Sequence, residues 1–192
     1  MTAARPDVLD FLLTRRSRPA KTLTAPVPDS DALGPLLSAA ARSPDHGALE
    51  PFRFIVLERA ALARIAELIA PAGERLGRSP EEIAKQRAVY AGGNLAVAVV
   101  FSPRESPKVP RVEQQYTAGA VCLSLLNAAL AAGWGANWLS GWASHDPQFC
   151  AEAFALEPQE AIAGLIHIGT ESTQPADRPR PDINAITTWV RA

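Results

Sequence analysis

The chain has 192 residues, with 19 Lys plus Arg against 20 Asp plus Glu and a formal net charge of −1 at pH 7, so no chain-wide basic field draws it to nucleic acid. A hydrophobic fraction of 47% with 20% charged residues excludes a disordered chain and predicts a single folded domain over residues 1–192, whose apolar residues fill a large core or a subunit interface. Cys122 and Cys150 lack CxxC or metal-ligand spacing, which points away from a disulfide framework or zinc site and toward a reducing, cytoplasmic setting.

The N-terminus lacks the charge-then-apolar order of a signal peptide, and the longest apolar stretches are too short or too interrupted to span a membrane. Pro6 and Asp7 open an amphipathic helix through Leu9, Leu12 and Leu13 that runs out at Arg15, Arg16 and Ser17. A second helix begins near residues 29–31, carries Leu33, Leu36, Leu37 and Ala40, and ends at Arg42 and Ser43 before Pro44. Residues 43–52 read as an irregular loop, followed by a strand over 54–57 and a helix over 60–70. Ser79-Pro80-Glu81-Glu82 is a capping box that opens another helix to about Tyr90.

Residues 95–101 form a continuous apolar, Val-rich run, the pattern of a strand covered on both faces. The helix predicted over 111–133 is apolar almost all round from Ala118 onward, which places it mid-molecule or at a dimer interface. A short strand over 137–139, a helix opened by Asp146-Pro147 and ending at Phe154, and a strand over 161–168 complete the regular elements before a Pro-rich tail. The irregular mixture of helices and strands favours an α+β fold over a doubly wound one.

Candidate chemistry is sparse. Arg15, Arg16 and Ser17 at a helix end offer two guanidinium forks and a hydroxyl to a phosphate, or else a basic helix terminus that complements the macrodipole. Arg178 and Arg180 carry the same ambiguity. His46 is a loop imidazole, four residues after Arg42, that can face a ligand or solvent; His145 reads as a turn residue, and His167, within an apolar strand, as a core residue with its hydrogen bonds satisfied. Trp134, Trp138 and Trp142 can line a planar ligand or pack around a core strand, and the glycines among them argue for turns and a short strand rather than a helix. No GxSxG, HExxH, P-loop or GxGxxG is present, a pattern compatible with an enzyme whose reactivity comes from an organic cofactor rather than a protein nucleophile or metal.

In order along the chain, Arg15-Arg16-Ser17, Ala41-Arg42-Ser43-Pro44-Asp45-His46, Glu50-Pro51-Phe52-Arg53-Phe54, the segment 108–115, Gly135-Ala136-Asn137-Trp138-Leu139-Ser140-Gly141, and Gly164 to Thr170 with its Arg-Pro-Arg-Pro tail resemble the nitroreductase family of flavoproteins. The resemblance is to the compact bacterial NAD(P)H nitroreductase branch. It implies a central mixed or antiparallel sheet flanked by helices, an intimate homodimer, and FMN bound at the subunit interface. By the same resemblance Arg15 and Ser17 hold the flavin phosphate, Arg16 helps fix their loop, and Arg180 adds a phosphate contact. Arg42 and His46 reach the flavin from the partner subunit, and Trp138, Leu139 and Ser140 line the isoalloxazine. The implied activity is ping-pong hydride transfer from NAD(P)H to a nitroaromatic or quinone-like acceptor, with no protein group as catalyst. A flavin- or phosphate-binding sensor or carrier without turnover is the alternative. One departure stands out: many family members place a Lys near the flavin ring two residues after the Ser, where this chain has Pro19.

Overall fold

The computed structural model describes residues 3–191. Five strands form one sheet: β1 (Leu23–Thr24), β2 (Phe52–Glu58), β3 (Leu95–Phe101), β4 (Gly135–Leu139) and β5 (Ala161–Glu171). Every pairing is antiparallel, with β5 joined to β1, β3 and β4, and β3 joined in turn to β2. The α+β expectation holds, and of the two sheet types anticipated the antiparallel one is present.

Among the described residues six α-helices flank the sheet: α1 (Pro6–Thr14), α2 (Ser30–Ala40), α3 (Arg59–Arg75), α4 (Pro80–Ala91), α5 (Arg111–Ala131) and α6 (Pro147–Phe154). Alternation along β3 explains its unbroken apolar run. Ala96, Ala98 and Val100 face a core that includes Leu62, Ile65, Ile69, Tyr90 and Phe149, from α3, α4 and α6. Leu95, Val97 and Val99 face a second core that includes Leu33, Leu36, Val121, Cys122 and Leu125, from α2 and α5. All seven β3 residues are buried, as expected for a strand with helices on both sides. Both cysteines are buried and free.

Local chemistry sets the helix starts. The Ser79 hydroxyl accepts from the Glu82 backbone N–H while the Glu82 carboxylate accepts from the Ser79 N–H, completing the capping box. Asp29 caps α2 by accepting from Ala32 N–H at 2.9 Å, and Asp146 caps α6 by accepting from Phe149 N–H at 2.9 Å.

Two helices leave apolar surface uncovered. α1 buries none of its residues, and Leu13 is 71% exposed. α5 buries one face through Val121, Cys122, Leu125 and Ala129 and leaves Val112, Tyr116 and Leu123 exposed on the other. No helix among the described residues is long and apolar enough to cross a membrane.

Candidate functional site

The chain leaves α1 at Arg15, whose φ of −55° and ψ of 144° are no longer helical, and continues beside the sheet. Arg18 N–H donates to Ala136 O at 2.8 Å, and Asn137 Nδ2 donates to Arg18 O at 2.7 Å. Arg18 also pairs with Glu171 through its side chain and donates from Nη1 to Arg16 O at 3.1 Å. These bonds pin the Arg15–Arg16–Ser17 segment to β4 and β5.

Within that segment Arg15 Nη2 donates to Ser17 Oγ at 2.9 Å. The Nε atoms of Arg15 and Arg16 are both buried without a hydrogen-bond partner. A buried donor left unpaired costs about 1–3 kcal/mol, and more when charged, so the cluster has hydrogen-bonding capacity that the chain alone leaves unmet. Burial, followed by the positive charges of Arg180, Arg16 and Arg18, pulls the Arg15 guanidinium below the usual arginine value. It stays protonated, and an anion placed among these groups would relieve both causes of the shift.

The tail closes over the same region. Asp177 Oδ1 accepts from Arg180 Nη2 at 3.0 Å and lies 4.0 Å from Arg16 Nε. Arg180 is therefore gathered with Arg15 and Arg16, while Arg178 contributes a backbone N–H to Asp177. The backbone N–H of Arg178 and the charges of Arg180 and Arg16 hold the Asp177 carboxyl below the usual range.

Next along the chain from this cluster, a cavity of about 430 Å³ is lined by Pro19 and Lys21, by Lys85 and Gly93 at α4, and by Asn137, Leu139 and His167 on the sheet. That volume falls in the range of small-molecule sites, roughly 300–1,000 Å³. A larger cavity of about 640 Å³ between α2 and β2 includes Leu33, Leu37 and Val56; neither cavity is lined by Arg15, Arg16 or Ser17, but the smaller one takes in Pro19, two residues after Ser17, and Asn137, which donates to Arg18 O.

Leu139 turns into the 430 Å³ cavity, whereas Trp138 is partly exposed and packs over Gly164, where a Cβ would lie 2.1 Å from the indole Nε1. Ser140 follows β4 and is exposed. Gly141 is pressed against Gln86, where a Cβ would lie only 2.0 Å from Oε1, so any larger residue there would have to push the Gln86 amide aside. The three tryptophans form no helical stripe. Trp138 lies in β4, Trp134 precedes it, and Trp142 begins a 3-10 turn with the Arg78 guanidinium 5.7 Å from its ring centroid.

Arg42 and His46 lie elsewhere on the chain. Arg42 lines a separate cavity of about 630 Å³ with Asp45, Glu50 and Phe52, and His46 Nδ1 is 2.7 Å from Glu113 Oε2 on α5. The loop is held to α5 by a Ser43–Ser124 hydroxyl hydrogen bond of 2.9 Å and by Thr117 Oγ1 donating to Pro44 O at 3.1 Å. Two residues just beyond it are strained, Ala48 and Glu50 with φ of 49° and 51°, while Gly47 takes a φ of 76° at no cost. Non-glycine residues in the left-handed region cluster at ligand-binding sites.

Three features of the cavity lie outside the sequence expectations. His167 is not a satisfied core residue, because its buried Nε2 has no partner and the residue lines the cavity. Lys21 and Lys85 line the same cavity. Their convergence depends on the β4–β5 register, which sets Asn137 opposite His167, and on where α4 ends; no local motif encodes either. Among the described residues no group of three or more His, Cys, Asp or Glu side chains is placed to hold a metal.

Comparisons with known proteins identify the family. The model of the nitroreductase family matches residues 12–170. The Escherichia coli K12 protein named "Putative NAD(P)H nitroreductase YdjA" is 34% identical over 164 residues, which cover 85% of this chain and 88% of that protein. A nitroreductase-like family protein from Bacillus cereus shares the fold with a TM-score of 0.79 at 23% identity, over 100% of both chains. A Desulfovibrio desulfuricans structure, named "putative nitroreductase in complex with fmn", has a TM-score of 0.72 at 20% identity and covers 98% of this chain and 99% of that one. With most of its length matched by the family model and by a relative above 30% identity, the chain belongs to the nitroreductase family.

Proposed function

We propose that residues 1–192 form one flavin-binding domain of a homodimeric, FMN-dependent oxidoreductase that transfers hydride from NAD(P)H to nitroaromatic or quinone-like acceptors in a ping-pong cycle. The observation that carries this reading is the pair of buried guanidinium Nε atoms of Arg15 and Arg16, without hydrogen-bond partners, beside Ser17, on a segment that runs on to Pro19 in the wall of the 430 Å³ cavity. Family membership, the relative's name and the FMN-bound neighbour support it.

The residues present fit the cofactor. Arg15, Arg16, Ser17 and Arg180 would hold the phosphate through charge-assisted hydrogen bonds. Leu139, with Trp138 and Ser140 beside it, would supply an apolar wall and a polar edge for the isoalloxazine. When bound, FMN supplies the two-electron chemistry between NAD(P)H and the acceptor. The protein's own part is to fix the ring, keep one face open and place donors where negative charge develops. No side chain is asked to act as a nucleophile.

The dimer reading rests on the uncovered α1, the exposed Val112–Tyr116–Leu123 face of α5, and a tail whose Trp189 is 76% exposed. The reading needs a second copy on these surfaces for Arg42 and His46 to reach the other chain's arginine cluster. Buried, free Cys122 and Cys150 accord with a cytoplasmic setting.

Steady-state kinetics of FMN-loaded protein test the activity. Parallel double-reciprocal lines for NADH or NADPH against nitroaromatic and quinone acceptors are expected. FMN-loaded protein that leaves both nucleotides unoxidised with every acceptor would instead favour a non-catalytic flavin-binding sensor.

A further inference from the structure

The segment after β5 returns to the arginine cluster as a strap. Its root is fixed: Arg18 pairs with Glu171 at the end of β5, and Ser172 donates from its N–H and Oγ to Thr22 O at 3.0 and 2.9 Å. Further along, Asp177 Oδ1 accepts from Arg178 N–H at 2.8 Å and from Arg180 Nη2 at 3.0 Å, and lies 4.0 Å from Arg16 Nε. Pro175, Pro179 and Pro181 flank it and restrict the paths this strap can take.

One carboxylate oxygen thus collects a backbone N–H and two guanidinium groups, a donor set that also suits an oxygen of a phosphate. The Arg178 N–H, followed by the charges of Arg180 and Arg16, holds the Asp177 carboxyl below its usual range, so it is ionised near pH 7. The contact is nevertheless loose. The Asp177 side chain is 77% exposed, a setting in which ion pairs hold weakly. At 4.0 Å it offers Arg16 Nε a charge without a hydrogen bond, and that buried atom stays unpartnered. Glu171, by contrast, belongs to β5 and pairs with Arg18, whose backbone is bonded into the sheet.

We infer that Asp177 is an internal counter-ion of the arginine cluster that competes with the phosphate of an incoming ligand, so that the strap must release Arg16 and Arg180 before the phosphate is fully bound. The inference rests on the flavin reading above and adds a displacement step to it. Two anions cannot share these donors without repelling each other. Chains with the strap closed are not competent to bind, and the apparent affinity falls in proportion to the fraction that is open.

The test compares wild-type and Asp177→Asn apoproteins for binding of FMN and of riboflavin, which lacks the phosphate, by flavin fluorescence quenching, with thermal unfolding alongside. Asp177→Asn is expected to bind FMN roughly three- to tenfold more tightly, to bind riboflavin as the wild type does, and to melt at the wild-type temperature. If Asp177 instead serves to hold Arg180 in place for the ligand, Asp177→Asn binds FMN more weakly, and the inference is overturned. Unchanged FMN affinity overturns it too, as does riboflavin binding tightened by the same factor as FMN binding, or a lowered melting temperature. Wild-type protein that binds no FMN defeats the flavin reading and this inference with it, whereas wild-type binding without tightening in Asp177→Asn defeats only the role of Asp177.

Discussion

Arg15 carries an unfavourable burial and three like-charged neighbours in the chain alone, a combination expected of a side chain placed for a ligand rather than for stability. Substituting Arg15→Ala or Ser17→Ala should therefore weaken FMN binding roughly 10- to 100-fold, the range of one or two charge-assisted hydrogen bonds, while the apoprotein's melting temperature holds or rises. Fluorescence titration and thermal unfolding check the two halves. The Arg53–Glu160 pair behaves in the opposite way. Arg53 Nε and Nη2 donate to the two Glu160 oxygens at 2.7 and 2.6 Å, and hydrogen bonding from Arg53 lowers the Glu160 pKa from 4.5 to about 2. Because the folded-state pKa is depressed, this stabilisation is fully present above about pH 4.5 and is lost as pH falls through about 2. Glu160→Gln should destabilise the protein by about 2 kcal/mol at pH 7, with the difference from wild type shrinking in denaturant melts at pH 3. The Arg15–Arg16–Ser17 triplet, proposed above to hold the phosphate, is legible in sequence because its residues are adjacent. His167 was not, because its place at the cavity depends on strand register and on the small Gly93 beside it.

Among the elements, those with strong local signals lie where the sequence puts them. The Ser79–Glu82 capping box starts α4, Asp146-Pro147 starts α6, and the Val-rich run is β3. α3 runs further than the predicted 60–70 and continues through Pro71 to Arg75. An interior proline costs about 3 kcal/mol, but the turn beyond it buries Ala72 and Gly73 against the core side of α4, with Gly73 packed on Ile83, and packing overrides propensity. β1 has two residues and no periodicity to read. The nine-residue α1 is too short to be stable alone in water and buries nothing within its chain. In the homodimer proposed above, its leucines would lie in the interface. Leu13→Glu should weaken self-association about 10- to 100-fold, the effect of losing one buried leucine side chain, as read by sedimentation equilibrium; dimer affinity unchanged from wild type would remove α1 from the interface.

At the scale of the whole molecule, the near-neutral charge turns out to conceal a local concentration of cations, with Arg15, Arg16, Arg18 and Arg180 gathered at one end of the sheet. Arg42 and His46 stay apart on the α5 side of the same chain, so a site that uses all of them needs a second copy. Family resemblance implies such a shared site, whereas no spacing along one chain could show which surface faces the partner. Mixing Arg15→Ala chains with His46→Ala chains tests it. A shared site predicts that in random mixtures roughly a quarter of sites regain wild-type flavin affinity, by the combinatorics of a symmetric dimer; no regained sites would place both residues in one subunit's site. The oxidoreductase reading itself is tested most directly by anaerobic titration of the FMN-loaded protein, following flavin absorbance. Addition of NADH or NADPH should bleach the flavin in proportion to nucleotide, and a nitroaromatic or quinone should then restore the absorbance. A protein that takes up no FMN, or whose bound flavin keeps its colour with both nucleotides, would contradict the account.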